Sequence, residues 1–297
     1  MQQQLVETRK QMLARRRLRL GATDVAALFG ISPYKTAYEV WLEKKGMLEG
    51  QPENEAMALG NALEPGLLDL AERKFGQMLR QVPVVSERAP IASTCDGILT
   101  DGSNRPVEIK TAGLTGFNAD VTHWGEPGTD QIPDWYLVQV HTQLLCTGSD
   151  RAFVLALIGG RGLLTYHVDR DDSVCDAIIR KANEWWNDYV VGKGIPDFDP
   201  PPSVDVLKRM RREPESVVDL DHETSDLVAQ LDVAKFAAKE ANKAVDELKA
   251  KVLVRLGDCE AANLPDGRRI EYFQTSRAGY TVEPTTFRTL RVKKAMK

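Results

Sequence analysis

The sequence predicts an α/β fold: a sheet-and-helix core, then a smaller appendage made of one long helix and a β-hairpin. Three observations carry this. Residues 94–111, "TCDGILTDGSNRPVEIKT", read as two short strands around a tight turn, because Asp-Gly between apolar positions is a strong hairpin signal. Segments with helical spacing of apolar residues precede and follow that hairpin. Finally, "GKGIPDFDPPPS" (192–203) breaks the chain, and a heptad seam begins beyond it.

Taken in order, "GATDVAALFG" (21–30) starts the helical part, with Thr23 as the expected N-cap of a short helix ending near Gly30. Thr36 and Glu39 have the T-x-x-E spacing of a capping box and open a second helix that closes at Gly46. A third helix is expected from about Glu55 to Phe75, with Pro65 marking either a kink or a break into two helices. Strand-like material leads into the hairpin, whose strands are expected at about 94–100 and 107–111. Residues 112–134 are rich in Gly, Asp and Pro and long for a structureless connection, which suggests a functional loop. "WYLVQVHTQLLCTG" presents a helical face of Leu137, Val140, Leu144 and Leu145. "DRAFVLALIGGRGLLTYHVDR" reads as strand, Gly-rich turn, strand, and helix returns over 172–191. Beyond the Pro-rich break, Leu227, Leu231, Ala234, Ala238, Ala241, Val245, Leu248 and Val252 alternate steps of four and three along one helix, 223–256. Its alanines suit close approach to another helix; a long surface helix lying on its own domain fits equally. "EAANLPDGRRIEYFQTSRAGYTV" then reads as a small hairpin.

Composition excludes several functions. With 297 residues, 42% hydrophobic and 28% charged, the chain is an ordinary globular protein. Its longest apolar run, "FVLALI", is far too short to span a bilayer, and the polar N-terminus lacks a signal-peptide core, so a cytoplasmic location is expected. The four cysteines and four histidines have no metal-ligand spacing. Motifs of serine hydrolases, P-loop enzymes and dinucleotide-binding folds are missing. Net charge is −4, yet residues 9–19 hold six basic residues and no acid, and 288–297 hold five basic residues and no acid. Two basic ends on an acidic body can meet a polyanion locally, or be simply solvated.

The hairpin raises a chemical question. Alternation of side chains puts Glu108 and Lys110 on one face of the second strand, with Asp96 roughly opposite Glu108. Two carboxylates so close repel each other, and a divalent cation would resolve the repulsion. Alone, an Asp followed by E-x-K is common by chance, and an exposed Glu–Lys pair explains it. Its neighbours shift the balance: Glu64 lies four residues after Gly60 on the preceding helix, and Gln139 and Gln143 lie one helical turn apart with Tyr136 on nearly the same side.

In this order the motifs resemble the PD-(D/E)xK nuclease superfamily, and within it the YqaJ-type viral recombinases that include phage lambda exonuclease. The likeness runs over roughly 15–198: "GATDVAALFGISPYKTAYEVWLEKKG", Gly60 to Glu64, "CDG…EIK", "IPDWYLVQV" and "VDRDD…WWNDYVVGKGIPD". It implies a restriction-endonuclease-like core, a central mixed β-sheet flanked by helices, over 1–198. A Pro-rich linker (199–222) and the helical and hairpin appendage (223–297) follow. It also implies a metal-dependent 5′→3′ exonuclease that digests one strand of duplex DNA and leaves 3′ overhangs for phage-type recombination. Asp96 and Glu108, with the main-chain carbonyl of Ile109 and with Glu64, would hold Mg²⁺ or Mn²⁺. Lys110 would position the attacking water, supported by Gln139 and Tyr136. Thr23 and an arginine among Arg16, Arg17 and Arg19 would hold the 5′ phosphate. Double-stranded DNA ends, a toroidal trimer, a single-strand annealing partner and a phage or prophage setting in a bacterial host follow from the same resemblance. The alternatives are a structure- or site-specific endonuclease of the superfamily, a non-catalytic recombination adaptor, and an assembly protein built on the heptad helix.

Overall fold

A computed structural model describes residues 17–48, 54–114, 119–198, 201–211, 217–274 and 276. The chain divides into two units, Met1–Arg211 and Arg212–Lys297.

The first unit is built on a five-stranded sheet in the order β1-β2-β3-β4-β5, formed by β1 (Met78–Val85), β2 (Ala92–Leu99), β3 (Pro106–Ala112), β4 (Arg151–Ile158) and β5 (Gly162–Asp169). Neighbours are antiparallel except β3 and β4, which are parallel, so the sheet is mixed. A parallel pair needs a crossover, and α4 (Asp134–Thr147) supplies it. The two central strands are covered on both faces. Val107, Ile109 and Leu155 pack with Leu67, Leu68 and Ala71 of α3 (Glu55–Phe75). Val154, Ala156 and Ile158 pack on the other side with Val140 and Leu144 of α4. This explains why "FVLALI" is a continuous apolar run rather than an alternating one.

A second helical layer lies behind α4. Val25 of α1 (Ala22–Leu28), Val40 and Trp41 of α2 (Ala37–Lys44), and Ile178 and Trp185 of α5 (Asp172–Trp185) form one buried cluster with Leu145. The capping box that opens α2 is present: Glu39 N–H donates to Thr36 Oγ1 (3.2 Å) and Thr36 N–H to Glu39 Oε2 (2.9 Å). Three expectations are corrected. The N-cap of α1 is Gly21, whose N–H donates to the Asp24 carboxylate (2.8 Å), while Thr23 sits inside the helix and is exposed. The acid one residue later is better placed to reach back and satisfy the orphan amide. α3 runs through Pro65 as one helix rather than breaking into two; the proline lacks the N–H that would bond four residues back. The expected helix over 172–191 changes at Trp186 into a π-helical turn, Trp186–Val191. A short α6 (Val204–Lys208) completes the unit, and Met210 bridges to Leu48.

Part of the 112–134 connection is core rather than loose loop: a 3₁₀ turn covers Ala119–His123, and Trp124 and Ile132 are buried. Residues 115–118 lie outside the described residues.

In the second unit, α7 (His222–Leu256) is capped by Asp221, which accepts from Thr224 N–H (2.9 Å). A two-stranded hairpin follows, β6 (Ala261–Asn263) and β7 (Arg269–Glu271). The heptad stripe is not packed: Leu227, Val245, Leu248 and Val252 are all exposed, and Leu256 is the buried residue of α7.

Candidate active site

β3 fixes the site because consecutive side chains alternate between two differently covered faces. Its odd residues enter the α3 side, so Glu108 and Lys110 are turned toward α4. Glu108 is 3% exposed, and a buried carboxylate requires donors. It receives three: Gln139 Nε2 and Lys110 Nζ on one oxygen and Gln143 Nε2 on the other, each at 2.5 Å. Gln139 and Gln143 reach it together because residues four apart share one face of α4. Lys110 also rests over the ring of Tyr136, with Nζ 4.7 Å from the centroid, a cation–π contact that holds the ammonium on the site side of α4. Among the described residues Gln143 Oε1 is buried without a hydrogen-bond partner.

Asp96 approaches from β2. The β2–β3 ladder runs through Ile98↔Pro106 and Gly97↔Val107, which sets Asp96 next in line opposite Glu108. There Asp96 Oδ2 accepts the Ile109 N–H (2.8 Å), so a carboxylate takes an amide that a sheet neighbour would otherwise take. Burial and the neighbouring Glu108 charge push the Asp96 carboxyl up to about 8, against the opposing pull of Lys110 and the Ile109 amide. Glu64, on α3, belongs to the same electrostatic group. Its carboxyl is pushed up by burial and by Glu108, and drawn back by Lys110 and by a hydrogen bond from Gln81 Nε2.

Three carboxyl groups thus share one ammonium, and burial beside Glu108 disfavours the charged form of Asp96. That is the chemistry of a donor set suited to a hard divalent cation. Among the described residues no three His, Cys, Asp or Glu side chains converge as a ready ligand cluster; Lys110 is the cation the arrangement itself supplies.

Of the residues singled out in the sequence, Glu64, Asp96, Glu108, Lys110, Tyr136 and Gln139 are brought together. Of the proposed phosphate-holding set, the described members Arg17, Arg19 and Thr23 are not brought into contact with them. Arg19 Nη1 donates to the Ser86 carbonyl (3.2 Å), and the Arg17 guanidinium lies against Gly46. Thr23 is exposed on α1, and Arg16 lies outside the described residues. Gln143, noted in the sequence for its one-turn spacing to Gln139, joins the site on Glu108. Two residues join the site unannounced. Tyr34, whose hydroxyl lies 2.8 Å from that of Tyr136, and Gln81 come from distant segments and left no local signal.

The chain is similar to known proteins in sequence and in fold. Residues 11–150 match the YqaJ-like viral recombinase domain. The chain is 26% identical over 262 residues to the uncharacterized protein YqaJ of Bacillus subtilis (strain 168), covering 85% of this chain and 80% of that one. Among solved structures, the alkaline exonuclease LHK-Exo from Laribacter hongkongensis superposes with a TM-score of 0.50 at 19% identity, over 61% of this chain and 93% of that one. The five-stranded mixed sheet flanked by helices is the fold this chain shares with that exonuclease structure, and residues 11–150 are similar to the YqaJ-like viral recombinase domain.

Proposed function

We propose that this protein is a metal-dependent deoxyribonuclease, a 5′→3′ exonuclease that digests one strand of duplex DNA from its end and leaves a 3′ overhang. The observation that carries the reading is the Asp96–Glu108–Lys110 group, with a carboxylate pair across two strands and an ammonium two residues further on the same face. Asp96 and Glu108, joined by the Ile109 carbonyl and by Glu64, would hold Mg²⁺ or Mn²⁺. Such an ion, when bound, lowers the pKa of a coordinated water and offsets charge on the phosphate.

The chain's own groups do the rest. Lys110 orients the attacking water and faces the phosphate. Gln139 and Gln143 hold Glu108 in one orientation, and Tyr136 keeps Lys110 from folding away. Preorganised donors of this kind act on charge that develops in the transition state. Arg16, Arg17, Arg19 and Thr23 are assigned to the 5′ phosphate by family analogy. The same analogy assigns a toroidal trimer around DNA, a single-strand annealing partner, and recombination of phage or prophage DNA in the bacterial cytoplasm. Among the described residues no helix is long and apolar enough to cross a membrane.

The test uses Mg²⁺ with duplexes labelled at the 5′ or the 3′ end and a closed circular plasmid. Early release of the 5′ label, an intact circle, and no product from Lys110→Ala, Asp96→Ala or Glu108→Ala are expected. A nicked or linearised circle would move the assignment to an endonuclease, and no cleavage by the native chain would leave an adaptor. Light scattering at working concentration reports the ring; a monomer counts against it.

A further inference from the structure

We propose that Gln81 is a positioning residue of the carboxylate site, held in a strained backbone conformation in order to aim its amide at Glu64. The proposal rests on the reading of that site as a cation-dependent nuclease centre.

Gln81 lies inside β1 with φ 53°, in the left-handed region that a non-glycine side chain adopts at a cost. The β1–β2 ladder is paired on both sides, through Arg80↔Gly97 and Val82↔Cys95, and is interrupted at Gln81 and Asp96. The strained residue therefore stands across from Asp96. Strain of this kind persists where flanking structure over-determines it, and it gathers at functional sites.

What the distortion accomplishes can be read from the neighbours. Successive residues in a strand point to opposite faces. Here Arg80 and Gln81, although successive, both reach α3: Arg80 Nη2 bonds Asp69 (2.6 Å) and Glu72 (2.5 Å), and Gln81 Nε2 bonds Glu64. A regular strand could offer only one of the two to that helix. Gln81 is exposed, so burying an apolar surface does not account for its conformation. The contact it makes is with the carboxylate that faces Glu108 and Lys110 from the helix side.

Two substitutions in the full chain separate strain from amide. Gln81→Ala removes the amide and keeps the Cβ that makes φ 53° costly; Gln81→Gly removes both. The glycine variant is expected to melt several degrees above the alanine variant. Both are expected to bind Mn²⁺ alone, read by titration calorimetry, at least five-fold more weakly than the native chain. Both should also lose at least ten-fold in kcat on linear duplex with KM for DNA within two-fold. Equal melting temperatures would overturn the strained conformation, and native Mn²⁺ affinity in both variants would overturn the positioning role. If the native chain binds Mn²⁺ but cleaves no DNA, the nuclease reading fails while the Mn²⁺ comparison still decides the role of Gln81. A native chain that does not bind Mn²⁺ overturns the proposal itself.

Discussion

At the scale of single residues, buried charges among the described residues gather in the helical layer and at the candidate active site and are treated differently. In the helical layer, Asp24 is 4% exposed and lies between Lys35 and Lys44, with Lys44 Nζ at 2.6 Å. Burial alone would push the Asp24 carboxyl up; the two ammonium groups outweigh it and hold the group well below the usual carboxylate range. A carboxyl held below its unfolded value of about 3.9 contributes stability that is complete above that value. The contribution is lost as pH falls from there toward the lower folded value. Acid melts followed by circular dichroism should therefore show a loss of stability below about pH 4 that is weakened in Asp24→Asn. At neutral pH the same variant should lose about 3–5 kcal/mol in a denaturant melt, because Lys35 and the buried Lys44 lose the carboxylate they share. At the candidate active site three carboxyl groups stand around the single Lys110 ammonium, and burial with the Glu108 charge pushes the Asp96 carboxyl up where the lysines hold Asp24 down.

The elements show how much of this was legible in the chain beforehand and where legibility ended. The Thr36–Glu39 capping box, the Asp101-Gly102 turn and the placing of Glu108 and Lys110 on one face are local patterns, and the structure contains each of them. Helix-face spacing on α4 likewise turned Tyr136 and Gln139 toward β3. Legibility failed where the deciding partner is remote or where a residue departs from its own preference. Gly21 rather than Thr23 is the N-cap of α1, with Asp24 reaching back to its N–H while Lys35 and Lys44 bond the same carboxylate. A glutamine in a strand carries no sign that it will be left-handed, so Gln81 was invisible. The glycines that end β3 and β4 were also read only as loop composition. A Cβ at Gly159 would lie 2.2 Å from the Gly113 carbonyl oxygen, a backbone atom that no rotamer change can move. Gly159 N–H meanwhile bonds the Ala112 carbonyl at 2.8 Å. Gly159→Ala should therefore cost about 1–3 kcal/mol by forcing the two strand exits apart, measured as a shift in urea midpoint at constant slope. An unchanged midpoint would mean that the exits are looser than drawn.

For the whole molecule, the question is how a chain of net charge −4 would hold a polyanion. Net charge governs solubility and non-specific attraction; a local cluster governs where phosphate is met. Six basic residues without an acid occupy 9–19, immediately before the domain core. If this segment tracks the DNA backbone, each arginine that neutralises a phosphate releases condensed counterions, and affinity falls with salt by about 0.9 log units per log unit for each contact. Replacing Arg15 and Arg16 by alanine should then weaken duplex binding at low salt and reduce the slope of log affinity against log salt by about 2. The measurement is fluorescence anisotropy on a blunt duplex across a salt series, with Lys110→Ala as the background so that no strand is digested. Affinity should fall to the same degree on duplexes of unrelated sequence, because contacts to phosphate position the protein without reading bases. An unchanged slope would place the DNA path elsewhere on the molecule and leave the N-terminal charges as solvated surface.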